Sequence, residues 1–181
     1  MGISKVKAVF LDRDGVLNRM FVYDGAPHPP NGIAELEIYP DVPEALQRLH
    51  AAGYLLIVVT NQPDIARGAT TRAMVDEINA ALGARLPLTE FVVCVHDDAD
   101  ECVCRKPKAG MVLDAAARHA VDLSQSFLVG DRWRDIDCGA AAGVRTVLIE
   151  RGYKERPPAH PPDFVTESLA GAAEWILSQR G

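Results

Sequence analysis

The stretch that decides the fold is Ala8-Val-Phe-Leu-Asp12-Arg-Asp14-Gly-Val-Leu-Asn18. It opens with an apolar run, which is typical of a strand buried on both faces in a parallel sheet covered by helices. Two carboxylates and a glycine follow where that strand ends. Because ligands of open parallel sheets bind beyond the carboxyl ends of the strands, we expect Asp12 and Asp14 to lie in a functional site.

The rest of the chain repeats this alternation of short apolar runs and helical patterns. Further strands are predicted at residues 55–59, 91–95, 126–129 and 146–149. Helices are predicted after Asp41, from Thr70 or Thr71, and over residues 111–119, 136–142 and 168–179. The second helix should place Met74, Ile78 and Leu82 against the sheet, while residues 19–40 and 151–162 read as loops. This order of elements predicts an α/β fold with a parallel sheet.

Length and composition indicate one globular domain over residues 1–181. Hydrophobic residues make up 48% of the chain and charged residues 24%, which suits a single continuous core. The net charge of -6 disfavours nucleic acid as a partner, since binding a phosphate backbone needs a basic face. No stretch approaches the roughly 20 apolar residues of a membrane span, and the N-terminal residues lack the apolar run of a signal peptide.

Polar residues follow the later strands as well. The strand ends carry Thr60-Asn61-Gln62, then a loop closing on Arg105-Lys106-Pro107, and then Gly130-Asp131-Arg132. Magnesium prefers oxygen ligands, so Asp12, Asp14 and Asp131 form a candidate site for it. The competing interpretation gives each aspartate of the first pair only a turn or capping role. Thr60, Lys106 and Asp131 follow the other predicted strands as Asp12 and Asp14 follow the first, which favours the magnesium site over a turn or capping role.

The third predicted strand leads into four potential metal ligands, which are Cys94, His96, Cys102 and Cys104. Three thiols and one imidazole are the donor set of a closed, tetrahedral structural zinc site. The alternative is a chance grouping of buried cysteines. The remaining cysteine, Cys138, is interpreted as a small packing residue buried in a helix. We interpret residues 94–104 as a zinc loop. Such a loop needs reduced thiols and therefore predicts a cytoplasmic protein.

Together these motifs resemble the haloacid dehalogenase superfamily of phosphotransferases, whose four motifs occur here in order as Asp12-Arg-Asp14-Gly-Val, Thr60-Asn61, Lys106 and Gly130-Asp131-x3-Asp135. The resemblance implies a Rossmann-like three-layer α/β sandwich with a mainly parallel sheet. No stretch between the motifs is long enough for a separate cap domain, so we expect a capless member with an open mouth.

The same resemblance implies the roles of the motif residues. Asp12 would be the nucleophile that forms an aspartyl phosphate, and Asp14 the general acid and then the general base. Thr60 and Lys106 would hold the phosphoryl oxygens. Magnesium would be bound by Asp12, the backbone carbonyl of Asp14 and Asp131, with Asp135 in support.

The zinc loop narrows the resemblance to the branch that contains heptose 1,7-bisphosphate phosphatases and the phosphatase domain of a histidine-biosynthesis enzyme. The resemblance covers residues 8–153 and implies a small phosphorylated metabolite as the substrate. We expect D-glycero-D-manno-heptose 1,7-bisphosphate, with release of the C7 phosphate, and histidinol phosphate is the alternative. The implied substrate-binding residues are Asn18, Asn61, Gln62, Arg105 and Arg132.

Two stretches depart from the pattern of this branch. Only residues 97–101 separate His96 from Cys102, and four of them are acidic. Residues 19–31 replace a shorter glycine-containing segment and should line the leaving-group pocket, with His28 as a solvated loop residue. A 3′-phosphatase of nucleic acids is disfavoured by the net charge, and a catalytically silent binding domain by the intact motifs. We expect a monomer.

Overall fold

A parallel sheet covered by helices on both faces makes up the protein in the computed structural model, which describes residues 6–23 and 26–179. The strands are β1 Lys7–Leu11, β2 Phe21–Tyr23, β3 Ala26–His28, β4 Tyr54–Asn61, β5 Glu90–Cys94, β6 Phe127–Gly130, β7 Arg145–Ile149 and β8 Phe164–Thr166. The helices are α1 Val42–Ala51, α2 Arg72–Gly83, α3 Gly110–His119, α4 Trp133–Ala142 and α5 Leu169–Ser178. Within the described residues, the main sheet has six strands in the order β5-β4-β1-β6-β7-β8.

All pairings within this sheet are parallel, and β1 lies between β4 and β6. Successive residues of β1 face opposite layers, as the two-residue period of a strand requires. Val9 and Leu11 belong to the core cluster shared with α1, α2 and α5. Ala8 and Phe10 belong to the cluster shared with α3 and α4. The predicted three-layer α/β sandwich is therefore confirmed.

Insertions between these elements are small in the described part of the chain. The first is an antiparallel hairpin of β2 and β3, which lies within the segment predicted as a loop after Asn18. The second is the loop after β5, where residues 98–100 form a single 3-10 turn. Neither forms a cap domain. None of the described helices is long and apolar enough to cross a membrane.

Several local predictions needed correction. In α2, Ile78 and Leu82 are buried as predicted, but Met74 is 37% exposed and Val75 is buried instead. Asp41 stands at the N-cap of α1 without capping it, since its carboxylate accepts a hydrogen bond from Ala170 N instead (2.9 Å). Strand β8 and the β2–β3 hairpin were not predicted. Our interpretations of residues 1–5, 24–25 and 180–181 fall outside the described residues.

Candidate active site

The carboxyl ends of β1, β4 and β6 bring the predicted motif residues to one edge of the sheet. Leu11, the last residue of β1, pairs with Val58 of β4 and with Val129 of β6. Asp12 follows directly, and its backbone N–H donates to the carbonyl of Val129 (3.0 Å). Because all three strands run in the same direction, the residues that follow them meet beyond this edge.

Three carboxylates and one ammonium form the centre of the site. The carboxylate oxygens of Asp12, Asp131 and Asp135 lie within 4.8 Å of one another, and all three residues are buried. Lys106 Nζ lies 2.9 Å from Asp12 Oδ1 and 2.6 Å from Asp135 Oδ1. It also donates to the carbonyl of Val59 (2.8 Å). Burial opposes the charge of Lys106, but the facing carboxylates raise its pKa.

One lysine does not neutralise three buried carboxylates. Burial and the neighbouring Asp135 raise the pKa of Asp12 to about 7, although Lys106 acts to lower it. Burial, Asp12 and Asp135 raise the pKa of Asp131 well above its ordinary range. A divalent cation bound among these oxygens would relieve the repulsion.

Asp131 is the residue of this group that most clearly fits a cation. Both of its carboxylate oxygens are buried without a hydrogen bond of good geometry, although the nearby Tyr153 hydroxyl partly offsets the rise in its pKa. Gly15 has a φ of +85°, and a Cβ there would lie 1.8 Å from Asp131 Oδ2. The loop after β1 therefore passes directly beside this carboxylate, and the oxygens of Asp131 and Asp12 fit a hard cation such as Mg²⁺.

Asp14 is held by neighbours on three sides. Arg13 is buried, and its guanidinium donates to both oxygens of Asp14 at 2.9–3.2 Å. Asn18 Nδ2 donates to Asp14 Oδ1 (2.9 Å), and Gln62 Nε2 donates to Asp14 Oδ2 (2.8 Å). These contacts fix the orientation of the Asp14 carboxylate beside Asp12.

The residues that follow β4 also hold one another. Gln62 Nε2 donates to Thr60 Oγ1 (2.9 Å). The Asn61 side chain exchanges two hydrogen bonds of 3.0 Å with the backbone N–H and carbonyl of Lys106. Three of the predicted substrate-binding residues thus contact candidate catalytic residues in the described structure, namely Asn18, Asn61 and Gln62. Their contact with substrate stays a prediction.

The Cys/His cluster has the shape of a closed metal site. The sulfur of Cys94 lies 3.7 Å from Cys102 Sγ and from His96 Nδ1, and Cys104 Sγ lies 3.2–3.4 Å from the other three ligand atoms. A tetrahedron with zinc–sulfur bonds of about 2.3 Å has edges of about 3.8 Å, so the donors need to move only slightly. None of these cysteines is in a disulfide. The donor set and its geometry fit Zn²⁺.

Two predicted substrate-binding cations lie at the rim, and each is paired with a carboxylate. Arg105 Nε donates to Asp98 Oδ1 (2.8 Å), on the acidic turn of the metal loop. Arg132 pairs with Glu155 through Nη2, while its Nε is buried without a partner. Arg132 also lines a cavity of about 70 Å³ together with Asp12 and Lys106.

Known proteins resemble the chain along nearly its whole length. A family model described as HAD-hydrolase-like matches residues 103–172. The chain is 35% identical to the D-glycero-D-manno-heptose-1,7-bisphosphate 7-phosphatase of Thermosynechococcus vestitus, over 94% of the chain and 95% of the relative. It is 34% identical to the D-glycero-beta-D-manno-heptose-1,7-bisphosphate 7-phosphatase of Escherichia coli strain K12, over 98% and 97%. The chain belongs to this family of HAD-like phosphatases.

Solved structures agree with this assignment. The D,D-heptose 1,7-bisphosphate phosphatase of Bordetella bronchiseptica, complexed with magnesium and phosphate, superposes with a TM-score of 0.81 at 32% identity, over 96% of this chain and 99% of that one. A putative HAD-like phosphatase from Mesorhizobium loti gives a TM-score of 0.75 at 28% identity, over 95% and 88%. The predictions of an HAD-like fold and of phosphomonoester hydrolysis are therefore confirmed.

Some side chains of this HAD-like phosphatase were not predicted as site residues. Arg13 stands between the two motif aspartates, so its position in the sequence could have indicated that it belongs to the site. Asn79 accepts a hydrogen bond from Arg13 Nη1 (3.0 Å), and nothing in the local sequence of α2 marks it. Tyr153 lies in the loop after β7 and lines a cavity of about 280 Å³ beside Asp131. Arg134 lines the same small cavity as Asp12.

Proposed function

We propose that this HAD-like phosphatase removes the C7 phosphate of D-glycero-D-manno-heptose 1,7-bisphosphate, with Mg²⁺ at the catalytic site and Zn²⁺ in the loop of residues 94–104. The shared name of the relatives supports the substrate, and the magnesium and phosphate bound to the B. bronchiseptica protein support the cofactor. The observation that carries the proposal is the buried pair of Asp12 and Lys106 beside the unpartnered carboxylate of Asp131.

In the first half of the reaction, an oxygen of Asp12 attacks phosphorus while the bond between phosphorus and the C7 oxygen breaks. Lys106 Nζ and Thr60 Oγ1 hold the transferring phosphoryl oxygens. Asp14 donates its proton to the departing C7 oxygen, which leaves as the sugar hydroxyl. The contacts of Arg13, described above, orient Asp14 for this transfer.

In the second half, Asp14 takes a proton from a water molecule, and the resulting hydroxide attacks the phosphorus of the aspartyl phosphate. The bond from phosphorus to Asp12 breaks, which releases inorganic phosphate and restores the carboxylate. When bound by Asp12, the backbone carbonyl of Asp14 and Asp131, Mg²⁺ would offset the negative charge of the phosphoryl group.

Zinc has a structural role in this proposal. Arg105 and Lys106 follow Cys104 directly, so an ion held by Cys94, His96, Cys102 and Cys104 would fix the backbone from which both cations extend. The hydrogen bonds from Asn61 to the Lys106 backbone support the same placement from β4.

A substrate panel tests the proposal. Purified protein with Mg²⁺ should release phosphate from the heptose 1,7-bisphosphate with a kcat/KM at least about tenfold above that for histidinol phosphate, a difference of about 1.4 kcal/mol in transition-state stabilisation. Phosphorus NMR should identify heptose 1-phosphate as the product. Asp12→Asn, which keeps the size of the side chain, should abolish turnover.

Preferential hydrolysis of histidinol phosphate would overturn the assignment of heptose 1,7-bisphosphate as the substrate. Full activity of Asp12→Asn would overturn the covalent mechanism, and the absence of phosphate release from every phosphomonoester would favour a silent binding domain.

A further inference from the structure

The loop that follows β7 reaches back to the turn that follows β1. Arg151 Nε donates to the backbone carbonyl of Gly15 (2.9 Å), although the two residues are 136 positions apart. Gly152 has a φ of +72°, and its backbone N–H donates to Oε1 of Glu150 (3.1 Å). Glycine adopts this conformation without strain, and the chain turns there just after Arg151. We refer to residues 150–153 as the β7 loop.

Arg151 is anchored by two contacts that do not involve Gly15. Its guanidinium carbon lies 4.2 Å from the ring centroid of Tyr39, and its Nη1 donates to the backbone carbonyl of Glu167 (3.2 Å). Tyr39 precedes α1 and Glu167 precedes α5, so two separate parts of the chain hold this side chain. A planar guanidinium that stacks on a ring and donates from two nitrogens has a fixed orientation. Arg151 is therefore a preplaced donor for the carbonyl of Gly15.

The turn at Gly15 lies next to the oxygens that we assign to magnesium. Gly15 directly follows Asp14, whose backbone carbonyl is one of the proposed ligands. Gly15 also lies against the carboxylate of Asp131, since a Cβ at Gly15 would overlap Asp131 Oδ2. A shift of this turn would therefore change the separation between the Asp14 carbonyl and the Asp131 carboxylate. The hydrogen bond from Arg151 opposes such a shift.

A second side chain of the β7 loop lies beside Asp131. The hydroxyl of Tyr153 is close to the Asp131 carboxylate, and both residues line the cavity of about 280 Å³. A phenol carries one hydrogen-bond donor, and a carboxylate oxygen accepts from it. Within the described residues, the Asp131 oxygens have no hydrogen-bond partner of good geometry, so a small adjustment of Tyr153 would orient this carboxylate. The β7 loop thus contacts Gly15 through one side chain and adjoins Asp131 through another.

We propose that the β7 loop positions the magnesium site, with Arg151 holding the turn at Gly15 and Tyr153 orienting the carboxylate of Asp131. This inference rests on the proposed function, since it needs Mg²⁺ at the site. Neither side chain is assigned a contact with the reacting atoms, so both are positioning residues. The positive charge of Arg151 by itself repels a cation. Its removal would therefore tighten metal binding if charge dominated, and would weaken metal binding if positioning dominated.

The test measures metal affinity without turnover. Zinc-loaded, magnesium-free protein is titrated with Mn²⁺, which binds to the same kinds of oxygen ligand as Mg²⁺ and gives an electron paramagnetic resonance signal when free. Arg151→Gln should raise the Kd of Mn²⁺ about tenfold, as should Tyr153→Phe, because residues that orient metal ligands contribute this much to affinity. Arg151→Lys keeps the charge but loses the planar fork, so it should also raise the Kd.

Steady-state kinetics provide a second measurement. In Arg151→Gln, the Mg²⁺ concentration for half-maximal phosphate release should rise about tenfold, in parallel with the Kd of Mn²⁺. At saturating Mg²⁺, kcat and the KM for the substrate should return close to the values of the unmodified enzyme. A general loss of folded protein would lower kcat at every Mg²⁺ concentration instead.

Arg145→Gln is the matched control at the other end of β7. The guanidinium carbon of Arg145 lies 4.4 Å from the ring centroid of Phe127, and its Nη1 donates to Gln179 (3.0 Å). The variant therefore removes a comparable stacked and hydrogen-bonded guanidinium. It should leave the Kd of Mn²⁺ unchanged, and the thermal midpoints of the metal-free variants show whether the two substitutions cost similar stability.

The outcomes separate this inference from the proposed function. If the unmodified protein neither binds Mn²⁺ nor releases phosphate with Mg²⁺, the magnesium-dependent function fails. If it does both, but Arg151→Gln binds Mn²⁺ as tightly as before or more tightly, the positioning role of Arg151 is overturned. Equal weakening in Arg145→Gln would also overturn that role. Arg151→Lys and Tyr153→Phe provide the same test of the loop if Arg151→Gln does not fold.

Discussion

Substitution of Gly15 by alanine probes the catalytic centre without altering any of its functional groups. Gly15 has a φ of +85°, and its Cβ would lie 1.8 Å from Asp131 Oδ2 and 2.6 Å from Asp131 Cγ. Real Cβ atoms essentially never approach other atoms within 3.0 Å, so the carboxylate must shift by about 1.2 Å relative to the loop. The shift moves an oxygen that we assign to magnesium.

The magnitude follows from two separate effects. An alanine in the left-handed region costs about 1–2 kcal/mol of stability. A misplacement of about 1 Å in a catalytic constellation costs about 100-fold in rate. We therefore expect Gly15→Ala to lower kcat/KM about 100-fold, which corresponds to about 2.7 kcal/mol. The Mg²⁺ concentration for half-maximal activity should rise at least about tenfold, since the oxygen that we assign to magnesium has moved.

Gly53→Ala is the matched control. Gly53 has the same φ of +85°, and a Cβ there would meet nothing within 4 Å. Both variants should lose similar stability in thermal denaturation, while only Gly15→Ala should lose phosphate release and magnesium affinity. Equal activity and equal magnesium dependence in the two variants would refute the placement of Asp131 at the metal.

Two further predictions concern the metal loop and the support of Asp14. Cys102→Ser should reduce bound zinc from about one ion per chain and lower the thermal midpoint, because structural zinc contributes directly to folding. The control variant Cys138→Ala lies outside the cluster and should keep the zinc. Metal analysis by mass spectrometry measures the zinc content of both variants. Arg13→Lys keeps the charge but loses the fork on Asp14, so kcat should fall at least about tenfold with a small change in KM, as expected when a general acid is misoriented. Arg72→Lys on the surface of α2 should leave steady-state kinetics unchanged, and an unaltered kcat in Arg13→Lys would show that Asp14 needs no such support.

Much of the fold was accessible from the sequence because buried parallel strands are apolar along their whole length. That signal predicted β1, β4, β5, β6 and β7. It failed for β8, a strand of three residues with an alternating, half-exposed pattern at the sheet edge. Phe164 of β8 stacks on Trp175 of α5 with ring centroids 5.1 Å apart, and a contact of this kind has no local periodicity in the sequence.

The candidate site shows the same division. Asp12, Thr60, Lys106 and Asp131 were predictable, since each follows a strand and parallel strands end at one edge. The directions in which the long side chains extend were not predictable from the sequence. Arg13 and Asn79 are 66 positions apart, and their contact depends on how α2 packs on the sheet.

The sequence by itself therefore determined the class of fold, the carboxylates at the strand ends and the four candidate zinc ligands, because strand burial and short ligand spacings are local properties of the chain. Only the tertiary structure decided which charges meet. Asp98 and Arg134 are 36 positions apart and join the metal loop to the start of α4. Long, flexible side chains select their partners by distance and solvent exposure in the folded protein, and neither quantity is encoded in local sequence patterns.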